Sequence, residues 1–242
     1  MTDAPMVDAP MVDALAIRDM SAGYGEAIVL RNLSLRVPRT DIVAVLGKNG
    51  MGKSTLLKSI MGYLPKATGA IALDGHDVTQ VPPHRMARRG VSYIAQEKAL
   101  FQDLTVEENI RLALARGSDR AAAMATVERC FPFLLKRLRQ QAGTLSGGEQ
   151  KMLLVARALA VRARLLLIDE ITEGLQPSVV TTLAQVIRDE RARFGTTILL
   201  IEQNIGFALE VADRYAVLDR GEIVDGGPTA GATARVAGYL SV

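Results

Sequence analysis

Residues 47–54, Gly47-Lys48-Asn49-Gly50-Met51-Gly52-Lys53-Ser54, form a complete G-x-x-x-x-G-K-S run. Before it stands Ile42-Val43-Ala44-Val45-Leu46, an apolar run of buried-strand type, and after it Thr55-Leu56-Leu57-Lys58-Ser59-Ile60-Met61 has helical spacing. Strand, glycine-rich loop and helix in that order is the context this motif needs. The glycines let the chain curl until several N–H groups point inward, and the start of the following helix adds positive potential. Lys53 can then reach β- and γ-phosphates, and the Ser54 hydroxyl can ligate Mg²⁺. The stretch from Gly47 through Ser54 and Thr55 is therefore the candidate cradle for a nucleoside triphosphate.

The rest of the chain can support such a site. Its 242 residues suit one large domain or a core with a subdomain, and 49% hydrophobic residues suffice for a core. Lysine and arginine number 29 against 26 acidic residues, and a net charge of +3 is too weak to argue for nucleic acid. The basic residues fall in separate groups (Arg85, Arg88, Arg89; Lys136, Arg137, Arg139; Arg162, Arg164), read as solvated helix faces. A single cysteine, Cys130, gives no internal disulfide and favours a reducing compartment. No apolar stretch approaches the ~20 residues that span a bilayer, and the N-terminus lacks the pattern of a secretory signal. Asp3-Ala4-Pro5-Met6-Val7 recurs as Asp8-Ala9-Pro10-Met11-Val12, so residues 1–13 are read as a disordered leader or a start-site artefact, with one domain over 14–242.

Periodicity places strands at Ala14–Met20, Ile28–Val37, Ala70–Leu73 and Val91–Ala95. Thr105-Val106-Glu107-Glu108 is a capping box, and helical character then continues from about Arg120 to Arg139. A second box, Ser146-Gly147-Gly148-Glu149, opens a helix from Gln150 to about Val161. Strands and helices then alternate: Leu165–Asp169, a helix after Pro177, Thr197–Ile201, a helix through Ala208 and Val211, and Tyr215–Leu218. Alternating βα units predict an α/β fold with a parallel sheet and helices on both faces, interrupted by a helical insertion over about 97–160.

Arg164-Leu165-Leu166-Leu167-Ile168-Asp169-Glu170 is an apolar strand ending in two carboxylates. In phosphate-loop enzymes such a strand lies beside the loop; Asp169 then supports Mg²⁺, and Glu170 can polarise the attacking water. Leu145-Ser146-Gly147-Gly148-Glu149-Gln150 offers a second anion site, with exposed N–H groups at a helix start.

This last motif, LSGGEQ, together with the phosphate loop and the Asp169-Glu170 strand end, resembles the ATP-binding-cassette (ABC) ATPases, with expected elements in order over about residues 14–240. The resemblance implies a phosphate-loop ATPase fold with parallel core sheet, antiparallel β subdomain and helical subdomain. It implies ATP and Mg²⁺ as ligands, Tyr24 stacked on adenine, and Gln96 contacting Mg²⁺ and water. Ser146, Gly147 and Gly148 would act on ATP held by a partner's loop in a head-to-tail dimer, and the loop at Thr172-Glu173-Gly174-Leu175 would cross between the two sites.

Two positions depart from the family pattern: Ile171 stands where Pro usually follows the catalytic Glu, and Gln203 stands at the switch position usually held by His. An amide can donate to a γ-phosphate oxygen but cannot take up a proton or a charge as His can. Glu202-Gln203-Asn204 with Thr172-Glu173-Gly174-Leu175-Gln176-Pro177 resembles the shorter ATPase subunit of branched-chain amino-acid uptake systems, and urea and amide importers share these features. The implied function is an ATP-hydrolysing importer subunit on the cytoplasmic face of the membrane. Its implied partners are a second, different ATPase subunit, two transmembrane permease subunits and, indirectly, a substrate-binding protein, with no nucleic acid. The alternatives are a lipid or lipopolysaccharide exporter ATPase, whose group usually keeps the His, and a soluble ABC ATPase, which carries two cassettes or a long coiled coil before the signature.

Overall fold

The parallel strands are runs of Val, Ile and Leu because both of their faces are covered. The computed structural model describes residues 13–64, 68–96, 100–114, 117 and 119–240. In chain order the strands and helices are β1 (Asp13–Tyr24), β2 (Ala27–Pro38), β3 (Ile42–Leu46), α1 (Lys53–Ile60), β4 (Thr68–Leu73), β5 (His76–Asp77), α2 (Pro83–Arg88) and β6 (Val91–Ile94). There follow α3 (Val106–Ala113), α4 (Arg120–Cys130), α5 (Gly147–Ala160), β7 (Leu165–Asp169), α6 (Pro177–Phe194) and β8 (Thr197–Glu202). The chain closes with α7 (Ile205–Val211), β9 (Arg214–Asp219), β10 (Glu222–Pro228) and α8 (Thr233–Leu240).

Strands β10-β9-β3-β8-β7-β6 form a six-stranded sheet, parallel except for the β9–β10 edge pair. Period-2 alternation divides its side chains between two cores. On β3, Ile42, Ala44 and Leu46 join the core under α5, α6 and α7, while Val43 and Val45 join the core under α1. The second face is completed by a four-stranded antiparallel sheet, β2-β1-β4-β5, whose Leu15, Ile17, Leu33 and Ile71 share the α1 core. Each fully buried aliphatic side chain stabilises by roughly 1.5–3 kcal/mol, so each face contributes strongly to the fold.

β8 lies between β7 and β3 and pairs with both. Two expectations need correction. The helix expected to run to Arg139 stops at Cys130, because Pro132 opens a short 3₁₀ segment, Pro132–Arg137. The signature helix begins at Gly147 rather than Gln150, with Ser146 as its N-cap. The leader assigned to residues 1–13 lies outside the described residues except for Asp13, which opens β1 and pairs with Arg36 at 2.7 Å. Between β6 and β7 the described elements are helical, and α4 and α3 both pack on α5.

Candidate functional site

β3 releases the chain into the loop through positions that only glycine fits. A Cβ on Gly47 would stand 2.5 Å from the Leu218 carbonyl oxygen of β9. Gly52 caps α1 at φ 101, in the left-handed region, with Leu30 of β2 packed over it. α1 has no side-chain cap hydrogen bond, so its N-terminus presents N–H groups and the positive end of its dipole to an anion. Met51 anchors the loop from outside, its Sδ accepting from the Arg220 N–H at 3.2 Å.

Lys53 is only 4% exposed. Its Nζ donates to the carbonyl oxygens of Gly47 at 2.9 Å and Lys48 at 2.8 Å, and pairs with Glu170 Oε1 at 2.9 Å. The backbone after β7 turns at Glu170, which takes a positive φ of 45 and donates its N–H to the Ile201 carbonyl. That turn aims the carboxylate at the loop. Gln96, just past β6, donates from Nε2 to Glu170 Oε2 at 2.9 Å and to Glu173 Oε2 at 2.7 Å. Glu170 is thus held between an ammonium and an amide.

Asp169 ends β7 and is 2% exposed. Its Oδ2 accepts from the Tyr93 hydroxyl at 3.2 Å, and the Ser54 hydroxyl also bonds the carboxylate. Its Oδ1 is buried without a hydrogen-bond partner among the described residues. Burial pushes the Asp169 carboxyl above its ordinary value, against the lowering effect of those hydroxyls. A buried acceptor left unpaired costs about 1–3 kcal/mol, and a hard cation with oxygen ligands would satisfy it. Asp169 and Ser54 therefore fit Mg²⁺.

From β8 the Gln203 amide reaches across to the loop, its Nε2 donating to Asn49 Oδ1 at 2.6 Å. One open cleft is lined by Asn49, Gly50, Gly52, Lys53, Ser54, Thr55, Gln96 and Glu170. The fold thus gathers the loop, Gln96, Asp169, Glu170 and Gln203 from separate strand ends. Tyr24 does not line that cleft: it is exposed on the flank of α1, with Lys58 Nζ 5.8 Å above its ring. Ser146, Gly147 and Gly148 do not line it either. Ser146 caps α5 reciprocally, its Oγ accepting from the Glu149 N–H at 3.4 Å and its own N–H donating to Glu149 Oε2 at 3.0 Å. That N–H holds the Glu149 carboxyl below its ordinary value. Ser146 and Gly147 face solvent.

Tyr93 was not legible as a site partner, and Thr172 and Glu173 entered only as part of the loop expected to cross between two sites. Tyr93 reaches Asp169 only because β6 pairs with β7, and no local pattern in Val91-Ser92-Tyr93-Ile94 signals it.

The model of the ABC transporter family matches residues 30–173. The branched-chain amino acid transport ATP-binding protein BraG of Pseudomonas aeruginosa is 38% identical over 87% of this chain and 91% of its own length. LivF of Archaeoglobus fulgidus, described as a probable branched-chain amino acid transport ATP-binding protein, is 38% identical over 86% and 89%. The lipopolysaccharide export ATP-binding protein LptB of Haemophilus influenzae is 33% identical over 87% and 88%. A nucleotide-free ATP-binding cassette of an ABC transporter superposes with a TM-score of 0.83 over 95% of this chain and 97% of that one, at 24% identity, a likeness of fold.

Proposed function

This chain belongs to the ABC transporter ATPases, and from that premise we propose that it is the motor subunit of an importer for branched-chain amino acids or similar small polar solutes. The family hydrolyses ATP and works with transmembrane permeases. No helix among the described residues is long and apolar enough to cross a membrane. In this reading the chain sits peripherally on the cytoplasmic face, against two permease subunits and beside a second, different ATPase subunit, with a substrate-binding protein acting on the far side.

The observation that carries the catalytic reading is the convergence of Lys53, Glu170 and the orphaned Asp169 oxygen at one phosphate loop. The loop N–H groups, the α1 N-terminus and Lys53 would take the phosphates. As the ammonium turns from Glu170 to the phosphates, Glu170 Oε1 is released to accept a proton from water. That water attacks the γ-phosphorus in line, and ADP leaves. Gln96 holds the other carboxylate oxygen and orients it. Mg²⁺ held at Ser54 and Asp169, with Gln96 near, would offset phosphate charge. Gln203 would donate to a γ-phosphate oxygen, and Tyr24 would stack on adenine. Ser146, Gly147 and Gly148 would meet the nucleotide of the partner subunit.

The importer reading rests on the two relatives at 38% identity and on Glu202-Gln203-Asn204. LptB, at 33% identity, supports a second reading as a lipopolysaccharide exporter ATPase, which the amide at Gln203 disfavours. Deleting the chain from its host and measuring uptake of labelled leucine, valine and a short amide separates the two. Lost uptake with normal surface lipopolysaccharide supports the importer, and the reverse supports the exporter.

A further inference from the structure

Glu202 is a buried carboxylate, 2% exposed, at the end of a strand whose preceding residues, Ile198 to Ile201, are apolar. Its bonds run to two different loops. Oε1 accepts from the Thr172 N–H at 3.0 Å, and Oε2 accepts from the Thr172 hydroxyl at 2.8 Å. Oε2 also accepts from the Gln203 N–H at 3.2 Å, and the Asn204 N–H bonds the same carboxylate. Both loops are functional ones. Thr172 lies two residues past Glu170, and Gln203 reaches Asn49 of the phosphate loop. The arrangement follows from topology: β7 and β8 are parallel neighbours with Asp169 opposite Ile201, so the two loops leave the sheet side by side.

A carboxylate has about four acceptor sites, and here they meet a hydroxyl and backbone N–H groups. Burial pushes the Glu202 carboxyl above its ordinary value, and these donors oppose that. An apolar residue at this position would leave the loop N–H groups without their acceptor, which argues against Glu202 as simple core filling.

We propose that Glu202 is a positioning residue that clamps the loop after Glu170 to the switch loop, so that Gln203 is aimed at the phosphate loop only while Thr172 is held. The inference rests on the ATPase reading above and adds a coupling between the two loops. Gln at position 202 keeps the shape but replaces one acceptor oxygen with a donor. Whichever way its amide turns, either the Thr172 N–H or the Gln203 N–H loses its acceptor.

The test is a mutant cycle on ATP hydrolysis by the full chain in its assembled transporter. Glu202→Gln is expected to lower kcat about tenfold with KM within about twofold, as for loss of hydrogen bonds to a charged group that acts through another residue. Thr172→Val, which removes the hydroxyl bond of the clamp and keeps the N–H bond, should lower kcat in the same direction by a smaller factor. In a Gln203→Ala background both substitutions should have little further effect, because the residue they position is gone. Multiplicative effects in that background, normal kcat in both single variants, or wild-type turnover of Gln203→Ala would each overturn the inference. Should Glu202→Gln melt early, Thr172→Val carries the same cycle. Glu170→Gln run alongside keeps the two readings apart: its full activity would contradict the ATPase assignments, whereas an inactive Glu170→Gln with normal Glu202 and Thr172 variants contradicts the clamp alone.

Discussion

At Lys53, Asp169 and Glu170 the functional side chains are 4%, 2% and 4% exposed; Lys53 bonds Glu170 and its own loop, and Asp169 bonds Tyr93 and Ser54. At Ser146 and Gly147 they face solvent, and their bonds stay within one helix cap. The first region is organised by the ends of β3, β7 and β8, which the sheet holds in register. The second sits on the start of α5, a helix that packs on α3, α4 and α6 and whose Ser146 and Gly147 are exposed. A buried, mutually bonded site acts on a ligand that enters it; an exposed helix N-terminus with spare glycine N–H groups acts on something brought to it. On the function proposed above, the first region does chemistry within the chain and the second makes contact between chains.

The largest expected effect tests the buried region. Glu170→Gln should cut hydrolysis in the assembled transporter by roughly 10²-fold or more, the scale of a lost general base. ATP affinity should survive, because Lys53 keeps its place in the loop, and an ATP-dependent closed dimer should accumulate on size exclusion. Near wild-type turnover would remove Glu170 from the chemistry.

Ser146→Arg tests the exposed region. It should block hydrolysis at the partner's loop while this chain still titrates labelled ATP normally. Its own melting should fall by about 1 kcal/mol, the usual cost of a lost N-cap. Loss of this chain's own ATP binding would instead put Ser146 in the same site as Lys53.

Gln203→Ala sits between the regions and should lower turnover about tenfold, the low end of the worth of a hydrogen bond to a charged group, with little change in ATP affinity. Unchanged turnover would mean that Glu170 suffices without a switch donor. The smallest effect is expected of Tyr24→Ala, which should weaken ATP binding several-fold through loss of base stacking, at about 1 kcal/mol or a little more. Tyr24→Phe should bind normally, and equilibrium titration of both variants checks the assignment.

The buried region was the more legible in sequence. Ile42-Val43-Ala44-Val45-Leu46 and Leu165–Asp169 are continuous apolar runs that only a doubly covered sheet explains, and the loop motif lies beside one of them. What remained hidden depends on which strands are neighbours. The placement of β8 between β3 and β7 leaves no local mark, so neither the Tyr93–Asp169 bond nor the Glu202 clamp onto Thr172 could be read. Elements with little apolar content were also missed. β10 is Glu222-Ile223-Val224-Asp225-Gly226-Gly227-Pro228, an edge strand whose glycines and proline read as a turn. The exposed region was legible by motif only: the capping box of Ser146 and Glu149 marks a helix start, and nothing local says what approaches it.

Hydrolysis measured against protein concentration, with and without the second ATPase subunit, tests the division between the two regions most directly. The account predicts that the isolated chain at low concentration binds ATP but turns it over slowly. Activity should rise when the partner is added, and a partner carrying a signature substitution equivalent to Ser146→Arg should fail to restore it. Full transporter-level hydrolysis by the dilute, isolated chain would contradict the account, since it would mean that the site around Lys53 and Glu170 needs nothing from a second chain.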